Sequence, residues 1–307
     1  MSKIFVIGSV NMDLVICVDR MPKSGETLSG YGFMTNPGGK GANQAVAAAK
    51  MNAATYMVGC VGNDAFGDEL QKALDDYGVN TRYLTRADSN SGIAVIIVEK
   101  GDNRIILDAG ANDKIIKEKV EQALSQASEQ DFCICQLEIP LDIVEHAFCL
   151  AKQKGLTTIL NPAPAVKLGE NILRNVDIIV LNETECEILA DVIPQSQEDY
   201  KKVFEFFSGY NIKSVIITLG SKGSVLIEKD NIQYTPAFKV QAIDTTSAGD
   251  TYLGAIASEL AKGKNLTDAM KTASAASALT VTKKGAMQSI PYYDEVIKFL
   301  ERQKTSG

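Results

Sequence analysis

The chain has 307 residues, of which 45% are hydrophobic and 22% are charged. This composition is typical of a globular protein and excludes extensive disorder. The formal net charge of −7 excludes a general electrostatic attraction to nucleic acid or to anionic membranes. No stretch approaches the roughly 20 apolar residues that cross a bilayer, and the N-terminal apolar run is too short for a secretion signal. We therefore expect a cytoplasmic protein without nucleic-acid or membrane partners.

The first half of the chain alternates strand-like and helix-like segments. Residues 3–9 (KIFVIGS) and 55–62 (TYMVGCVG) have strand character, and residues 39–53 and 64–79 have helix character. This β-α-β-α order predicts a mostly parallel sheet that is covered by helices. No composition shift marks a second domain, so we expect one α/β domain over residues 1–307.

Two segments interrupt this alternation, at about 13–36 and 92–109. Both are rich in strand-forming residues and turn signals, with no helix between their strands, and EKGDNR at 99–104 is typical of a hairpin turn. The two segments are therefore predicted to pair into a small antiparallel sheet that stands off the main sheet as a lid.

The second half resumes the alternation. Strands are predicted at 131–138, 157–164 and 176–185, within 213–236, and in a run that ends at Ile243. Helices are predicted at 141–154, 198–209, 249–262, 267–281 and 291–304.

Polar residues and glycines recur where the predicted strands end. In open α/β sheets, ligands bind beyond the carboxyl ends of the strands. Each polar segment alone is consistent with a turn or a helix cap, but their recurrence favours a shared polar cleft. The segments are Asn11 and Asp13, residues 37–44 (PGGKGANQ), Glu138, Asn161, residues 182–185 (NETE), residues 218–223 (TLGSKG) and residues 244–250 (DTTSAGD).

The common nucleotide-binding and hydrolase motifs are missing. The sequence contains neither G-x-x-x-x-G-K-[ST] nor G-x-G-x-x-G nor G-x-S-x-G, which disfavours P-loop, dinucleotide-binding and serine-hydrolase classes. The one histidine, His146, lies in a predicted helix and is expected to be a packed or half-exposed helix residue. The six cysteines stand among apolar residues and are expected to be free thiols, because a chain of this size does not need disulfides.

The turn before the predicted helix at 249–262 offers a different device for handling phosphate. Ser247, Ala248 and Gly249 are small, so that the free backbone N–H groups of a helix N-terminus stay accessible to an anion. Asp250 beside them could accept a proton from an attacking hydroxyl, which is the chemistry of phosphoryl transfer. The alternative from this segment alone is a first-turn acid that stabilises the helix dipole.

Several of these stretches resemble the ribokinase-like carbohydrate kinases. GSVNMD (8–13), GGKGANQAVAAAK (38–50) and DTTSAGDTYLGA (244–255) resemble the family's signatures, and QLEIP, LNPAPA, NETE, TLGSKG and VTKKGAMQSIP follow in the family's order. The resemblance covers essentially the whole chain. It implies a doubly wound α/β domain with a β-sheet lid, often a homodimer through the lids. It also implies ATP-dependent phosphorylation of the 5-hydroxyl of D-ribose, with Mg²⁺ and a monovalent cation, usually K⁺.

The resemblance also implies roles for residues at the matching positions. Asp250 would be the general base, beside an anion hole of Ser247, Ala248 and Gly249. The residues that would bind the sugar hydroxyls are Asn11, Asp13, Gly39, Lys40, Asn43 and Glu138, together with Asp250.

For the nucleotide and the metals, the resemblance implies a second set. Asn182 would contact phosphate, Ser274 would lie near adenine, and Glu185 would hold Mg²⁺ through water. The remaining ATP contacts would come from Thr218, Leu219, Gly220, Ser221, Lys222, Gly223 and Gly249. The K⁺ loop would combine Asp244 and Thr246 with Thr280, Lys283, Gly285 and Ser289.

Two alternatives stay open. One is a kinase of the same family that acts on a nucleoside, a ketose or another sugar, since the lid residues Ile93, Val95 and Ile106 do not exclude an apolar wall for a base. The other is a sugar- or nucleotide-binding regulator without catalysis. The chain also departs from the family at Ser247, where most members carry glycine, and we expect the small serine to keep the turn open.

Overall fold

The structure, a computed structural model, describes residues 2–100 and 102–305. Within these residues the strands form one nine-stranded sheet and one four-stranded sheet. In chain order the strands are β1 (Lys3–Ile7), β2 (Asn11–Val18), β3 (Tyr31–Gly38), β4 (Ala54–Gly62), β5 (Asn80–Ala87), β6 (Gly92–Glu99), β7 (Asp102–Asp108), β8 (Phe132–Cys135), β9 (Thr157–Leu160), β10 (Ile178–Asn182), β11 (Ser214–Thr218), β12 (Gly223–Glu228) and β13 (Asn231–Pro236).

The large sheet has the strand order β13-β12-β11-β10-β9-β8-β1-β4-β5. All pairings from β11 to β5 are parallel, whereas β12 and β13 run antiparallel at one edge. The chain builds β4 and β5 on one side of β1, and later β8 to β11 on the other. The strand order therefore reverses beside β1, which is where ligands bind in sheets of this kind. The predicted doubly wound, mostly parallel sheet is confirmed.

Helices cover both faces of the large sheet. In chain order they are α1 (Lys40–Lys50), α2 (Ala65–Asp76), α3 (Lys117–Leu124), α4 (Leu141–Gln153), α5 (Glu170–Leu173), α6 (Glu183–Ala190), α7 (Gln197–Ser208), α8 (Ala248–Ala261), α9 (Leu266–Thr280) and α10 (Tyr293–Thr305). Alternate side chains of β1 face opposite cores: Phe5 and Ile7 pack with α3 to α7, and Ile4 and Val6 pack with α1, α2 and α8 to α10.

The small sheet is the predicted lid, with the order β3-β2-β6-β7. Its outer pairs, β2 with β3 and β6 with β7, are antiparallel as expected, but the central pair of β2 and β6 is parallel. The reason is topological, because both strands leave the same carboxyl edge of the parallel sheet. The predicted turn at 99–104 includes Gly101, which lies outside the described residues.

The remaining differences from the sequence prediction are local. Helices α8 and α9 match the predicted segments within one residue at each end. The prediction omits β5, an edge strand whose exposed Arg82 and Arg86 obscure the apolar pattern. The predicted strand ending at Ile243 is wrong, because residues 237–247 form a loop. There the N–H groups of Ile243 and Asp244 donate to the carbonyl of Val281 instead of a neighbouring strand.

The residues that were expected to be chemically inert are placed accordingly. His146 lies on α4, half-buried, and its Nε2 is 3.0 Å from Oε1 of Glu121. Cys133 and Cys135 lie in the same hydrophobic core, and the six cysteines are free. Over the described part of the chain, no helix combines the length and the apolar character needed to cross a membrane.

Candidate active site

The polar segments that follow β1 and β8 meet at the point where the strand order reverses. Glu138, which follows β8, is their common acceptor. Its Oε2 receives bonds from Ser9 Oγ at 2.5 Å, from the backbone N of Lys40 at 3.2 Å and from Asn11 Nδ2 at 3.4 Å. Three segments that are distant in sequence are thus joined by one carboxylate.

Asn11 is also held from its other side. Asn112 Nδ2 donates to Asn11 Oδ1 at 2.6 Å, and Asn112 Oδ1 accepts from the backbone N of Val10 at 2.9 Å. Asn112 is 1% exposed, so these bonds are sheltered from water. Sequence reasoning predicted Asn11 and Glu138 but missed Ser9 and Asn112. Asn112 lies in a short 3-10 helix, Gly110–Lys114, which is too short to show a periodic pattern in the sequence.

Asp250 lies in the first turn of α8 and is almost fully buried. Asn43 Nδ2 donates to its Oδ2 at 3.1 Å, and Gln44 Nε2 donates to its Oδ1 at 3.0 Å. The close packing of α8 on α1 makes this possible. A Cβ on Gly254, four residues after Asp250, would lie 2.5 Å from Cβ of Ala47. Sequence reasoning predicted Asn43 and missed Gln44.

The charges in the cleft interact strongly. Burial, together with the carboxylates of Glu138 and Asp250, raises the pKa of Asp13 to about 7, although Lys40 opposes this shift. Burial disfavours the charged form of Lys40, but Asp250, Glu138, Glu185 and Asp13 outweigh it and raise the pKa of Lys40. Burial also raises the pKa of Glu185, with Lys40 opposing. Lys40 is therefore an ammonium shared among four carboxylates.

The N-terminal turn of α8 is shaped for a ligand. Ser247 adopts a left-handed conformation with φ of 59°, and its side chain does not cap the helix. Its Oγ is buried and has no hydrogen-bond partner among the described residues. A Cβ added to Gly249 would meet no atom of the described residues within 4 Å. The space beside Gly249 is therefore open to a ligand, as an anion site requires, although the N–H of Ala248 donates to the carbonyl of Thr245 at 3.3 Å.

The two halves of the predicted cation loop are adjacent. Asp244 Oδ1 accepts from the backbone N of Thr246 at 2.9 Å, and its Oδ2 accepts from the N of Gly285 at 2.9 Å. The Lys283 ammonium instead forms an ion pair with Glu295 at 3.1 Å, so that only the backbone of Lys283 is available to the loop. Thr280 and Ser289 are buried, and their hydroxyls donate to other protein oxygens.

The predicted nucleotide residues fall into two places. Asn182 and Thr218 are neighbours in the register of β10 and β11. The Asn182 amide is already bonded to Glu185 in the capping box of α6. Residues 219–222 follow β11, with a short 3-10 turn over Gly220–Lys222, and Gly223 begins β12. Ser274 is buried in α9, and its Oγ donates to the carbonyl of Pro236 at 3.2 Å. Little of its surface is therefore available to contact an adenine ring.

A cleft of about 450 Å³ lies between the lid and the loops at 242–246 and 284–286. Asp13 lines it, and apolar side chains of the lid, including Val15 and Ile96, form one wall. Ile106, one of the apolar residues considered in the sequence, is exposed on the lid instead. The volume is within the range of small-molecule sites.

Together these features provide a carboxylate base, an anion-binding turn and polar groups for a hydroxyl-rich ligand. Asp250 is continuous with the open turn, since it occupies the same first turn of α8 as Gly249. A substrate hydroxyl bound beside Asp250 would lie between this carboxylate and an anion held at the N-terminal turn of α8. This arrangement suits transfer of a phosphoryl group to an alcohol.

Comparisons with known proteins agree with this chemistry. Residues 1–292 match the family model described as pfkB family carbohydrate kinase. A ribokinase from Haemophilus influenzae is 41% identical over 298 residues, covering 96% of this chain and 97% of the relative. A deoxyribokinase from Salmonella typhi is 36% identical, covering 97% and 98%.

Among solved structures, the fold is similar to Arabidopsis thaliana ribokinase complexed with ribose and ATP. The two share a TM-score of 0.91 and 33% identity, covering 98% of this chain and 99% of that one. Thermotoga maritima ribokinase has a TM-score of 0.88 and 38% identity, covering 98% and 100%. The chain therefore belongs to the pfkB family of carbohydrate kinases.

Proposed function

We propose that this chain is an ATP-dependent kinase that phosphorylates the 5-hydroxyl of D-ribose to give D-ribose 5-phosphate and ADP. The observation that carries the proposal is the position of a buried carboxylate, Asp250, beside the open turn at Gly249. The relatives named ribokinase, at about 40% identity over nearly their whole length, support ribose as the acceptor.

In the proposed reaction Asp250 accepts the proton of the 5-hydroxyl as the O5–P bond forms. The bond from the γ-phosphorus to the bridging oxygen breaks, and ADP leaves with its electron pair. Backbone N–H groups of Ser247, Ala248 and Gly249 stabilise the charge on the transferring group. The unpaired Ser247 hydroxyl at this turn is compatible with an additional donor.

The sugar would be bound by polar groups around Asp250 and Glu138, next to the cleft that Asp13 lines. Asn43 Oδ1 is buried and unpartnered within the described part of the chain, so it can accept a sugar hydroxyl while its Nδ2 holds Asp250. Asp13 and Glu138 supply acceptors, and Lys40 supplies a donor. Asn11 is held by Glu138 and Asn112 at the position where it would contact the sugar, and Gly39 brings the backbone close.

The nucleotide would lie beyond β10 and β11. Asn182, Thr218 and residues 219–223 would line it, and Ser274 would lie near the base without stacking on it. Mg²⁺ would be held through water by Glu185, whose electrostatic coupling to Lys40 and Asp250 supports a position near the phosphates. Bound there, Mg²⁺ would neutralise phosphate charge.

A monovalent cation, usually K⁺ in the family, would order the loop beside the anion turn. The fit rests on the Asp244 carboxylate, which joins residues 246 and 285. The carbonyls of Thr246, Lys283 and Gly285 and the hydroxyls of Thr280 and Ser289 are oxygen donors of the kind that such a cation prefers.

We also propose that the chain forms a homodimer through the lids, in the cytoplasm. Tyr31 and Phe33 on β3, at one edge of the small sheet, and Ile105 and Ile106 on β7, at its other edge, are strongly exposed apolar side chains. Exposed apolar side chains on a small sheet are typical of a protein interface. The test is molar mass in solution, which a charged substitution at Phe33 is expected to halve, and a monomeric parent would refute the dimer.

The test of the function is ADP release over a panel of D-ribose, 2-deoxy-D-ribose, fructose, sugar acids and adenosine. We expect the highest kcat/KM with D-ribose. Preference for another acceptor would favour a different kinase of the family, and no release with any acceptor would favour a non-catalytic regulator.

Asp250→Asn tests the base in the same assay. We expect turnover to fall by roughly 10²–10⁴, while ribose and ATP still bind in calorimetry. Turnover within a few-fold of the parent would remove Asp250 from the proposed role. The conservative Asp268→Asn substitution in the first turn of α9 is the matched control, because Asp268 is likewise a first-turn acid but lies outside the cleft residues.

A further inference from the structure

We propose that Gln44 is a positioning residue that fixes the direction of the carboxylate of the base Asp250, and that Gln136 and Asn161 set the orientation of the Gln44 amide. The inference rests on the proposed function and adds residues to it. Gln44 and Gln136 are 0% exposed, so their amides cannot exchange these bonds for bonds to water.

The Gln44 amide forms three hydrogen bonds to other side chains, two through its nitrogen and one through its oxygen. Its Nε2 donates to Asp250 Oδ1 at 3.0 Å and to Asn161 Oδ1 at 3.0 Å, which occupies both hydrogens. Its Oε1 accepts from Gln136 Nε2 at 2.6 Å. A primary amide offers two donors and one acceptor oxygen. The side chain is therefore held from three directions.

A backbone carbonyl fixes the sense of this chain of amides. Asn161 Nδ2 donates to the carbonyl of Val180 on β10 at 3.1 Å, and a carbonyl can only accept. Asn161 must then present its Oδ1 to Gln44, which must donate, and its Oε1 must accept from Gln136. At the other end the ionised Asp250 also only accepts. Both ends demand the same orientation of Gln44.

The elements that provide these groups are the rigid ones. Gln136 and Asn161 directly follow β8 and β9, and Val180 lies within β10. Gly8 leaves room for Gln136, because a Cβ there would lie 2.0 Å from Gln136 Oε1. Three successive strands of the sheet therefore define the direction in which one helical amide points at the base.

The consequence for chemistry is electrostatic and geometric. Burial disfavours the charged form of a carboxylate, and each hydrogen bond from an N–H group to the charged form stabilises that form. Asn43 provides one such bond to Oδ2, and Gln44 provides the other to Oδ1. Each oxygen keeps a further lone pair for the sugar hydroxyl. Loss of the Gln44 donor should therefore move the acid limb of the pH profile of kcat to higher pH.

The test compares two substitutions at Gln44. Gln44→Met removes both donors, and Gln44→Glu keeps the shape and the acceptor for Gln136 but turns an acceptor toward Asp250. We expect kcat to fall about 10- to 100-fold in Gln44→Met, the scale of one hydrogen bond to a charged group. The acid limb of the pH profile of kcat should move to higher pH by about one pH unit or more. The shift should be largest in Gln44→Glu, where two neighbouring carboxyl groups share a proton.

The pH profile separates positioning from a merely structural role. The other charged groups near Asp250 are Lys40, Asp13, Glu138 and Glu185, and the variants leave them unchanged. A loss of folding alone would lower the active fraction without moving the acid limb. Gln122→Met on the exposed face of α3 is the matched control, and its profile should coincide with that of the parent.

Gln136→Met serves as a second variant if substitutions at Gln44 prevent folding. It leaves the Asp250 contact in place but removes the donor that orients Gln44, so a smaller rise of the acid limb in the same direction is expected. An unmoved acid limb in the folded variants overturns the proposal for Gln44 while the parent remains an active kinase. Absence of turnover in the parent, or full turnover in Asp250→Asn, would instead overturn the proposed function.

Discussion

The two sides of the candidate active site are built differently. On the proposed sugar side, Oε2 of Glu138 and both carboxylate oxygens of Asp250 accept hydrogen bonds from side chains of several elements. On the phosphate side, Ser247 has an unpaired hydroxyl within the described residues, and Gly249 faces open space. The proposed sugar side is thus preorganised by hydrogen bonds within the protein, whereas the proposed phosphate side leaves the Ser247 hydroxyl unbonded and the space beside Gly249 open to a charged ligand.

Two glycines of α8 show the same contrast within one helix. A Cβ on Gly254 would overlap Ala47 Cβ at 2.5 Å and the carbonyl of Gln44 at 2.6 Å, whereas a Cβ on Gly249 would touch nothing within 4 Å among the described residues. Gly254 is required by the fold, because it lets α8 approach α1. Gly249 is not required by packing, which is consistent with the proposal that its small size leaves room for the ligand.

The largest effect that would break this comparison is expected from Gly249→Ala. The added methyl group occupies space that we assign to the γ-phosphate, and a displacement on the order of 1 Å at a reacting group can cost about 100-fold in rate. We therefore expect kcat/KM for ATP to fall by about that factor. Thermal stability should be retained, since alanine favours a helix over glycine.

Gly254→Ala is the matched control for this substitution. It should destabilise the fold by about 1–3 kcal/mol through overpacking, measured by urea unfolding. If Gly249→Ala kept the parent's kcat/KM for ATP, or if the two variants lost stability equally, the functional distinction between the two glycines would be wrong.

Glu138→Gln tests the preorganised sugar side. The substitution replaces a charged acceptor of three hydrogen bonds by an amide, which must turn a donor or its single oxygen toward Ser9, Asn11 and the N–H of Lys40. We expect ribose affinity to fall about 30-fold, as for a hydrogen bond to a charged group. ATP affinity should change little. Calorimetry with each ligand measures both, and Glu198→Gln on the exposed start of α7 is the control.

An equal loss of ribose and ATP affinity in Glu138→Gln would contradict the division of the site into two sides. It would mean that Glu138 supports the cleft as a whole. A loss for ribose alone would sharpen the division.

The sequence was sufficient for most strands of the sheet and for several polar residues beyond their carboxyl ends. Asn11, Glu138 and Asn161 could be predicted because a strand ends at a recognisable place and parallel strands end at one edge. The direction of a helical side chain is harder to predict, since it depends on the partner helix. Gln44 reaches Asp250 only because α8 approaches α1 at Gly254, and no local pattern encodes that distance.

The loop before α8 shows a second reason for failure. Residues 237–247 contain apolar side chains at strand-like spacing, which led to the wrong prediction of a strand. In the structure Phe238 packs against Phe299 with ring centroids 5.3 Å apart, and Ile243 is exposed. Phe238 thus contacts the C-terminal helix and Ile243 faces solvent, so the spacing of the apolar residues in this loop does not report a strand.

Removal of K⁺ would test the phosphate side through its neighbouring loop. With K⁺ replaced by a bulky organic cation, we expect kcat to fall about tenfold, within the range of coupling between adjacent sites. The reason is that the Asp244 loop would lose an ion that orders the turn at Ser247. Asp244→Ala should lack most of this cation response, and a cation response equal to the parent's would remove Asp244 from the ion site.

The smallest effect concerns the protonation of Asp13. Its pKa of about 7 results from burial and from the carboxylates of Glu138 and Asp250. Without a ligand, Asp13 is therefore largely protonated below neutral pH, whereas a sugar hydroxyl that donates to it needs the ionised form. We expect ribose affinity to rise about threefold between roughly pH 6.5 and pH 7.5, measured by calorimetry in parallel with Asp13→Asn, whose affinity should be lower and flat over this range.

Stability should show the opposite trend at the same residue. Between the usual pKa near 3.8 and the raised value of about 7, the folded protein holds a proton on Asp13 that the unfolded chain has released. The free energy of unfolding therefore falls as the pH rises through this window, and Asp13→Asn should flatten that slope in urea titrations. Identical pH slopes for parent and variant, in both ribose affinity and unfolding, would show that the sugar side does not hold Asp13 protonated. The contrast between the sugar side and the phosphate side would then be supported only by their hydrogen-bond geometry.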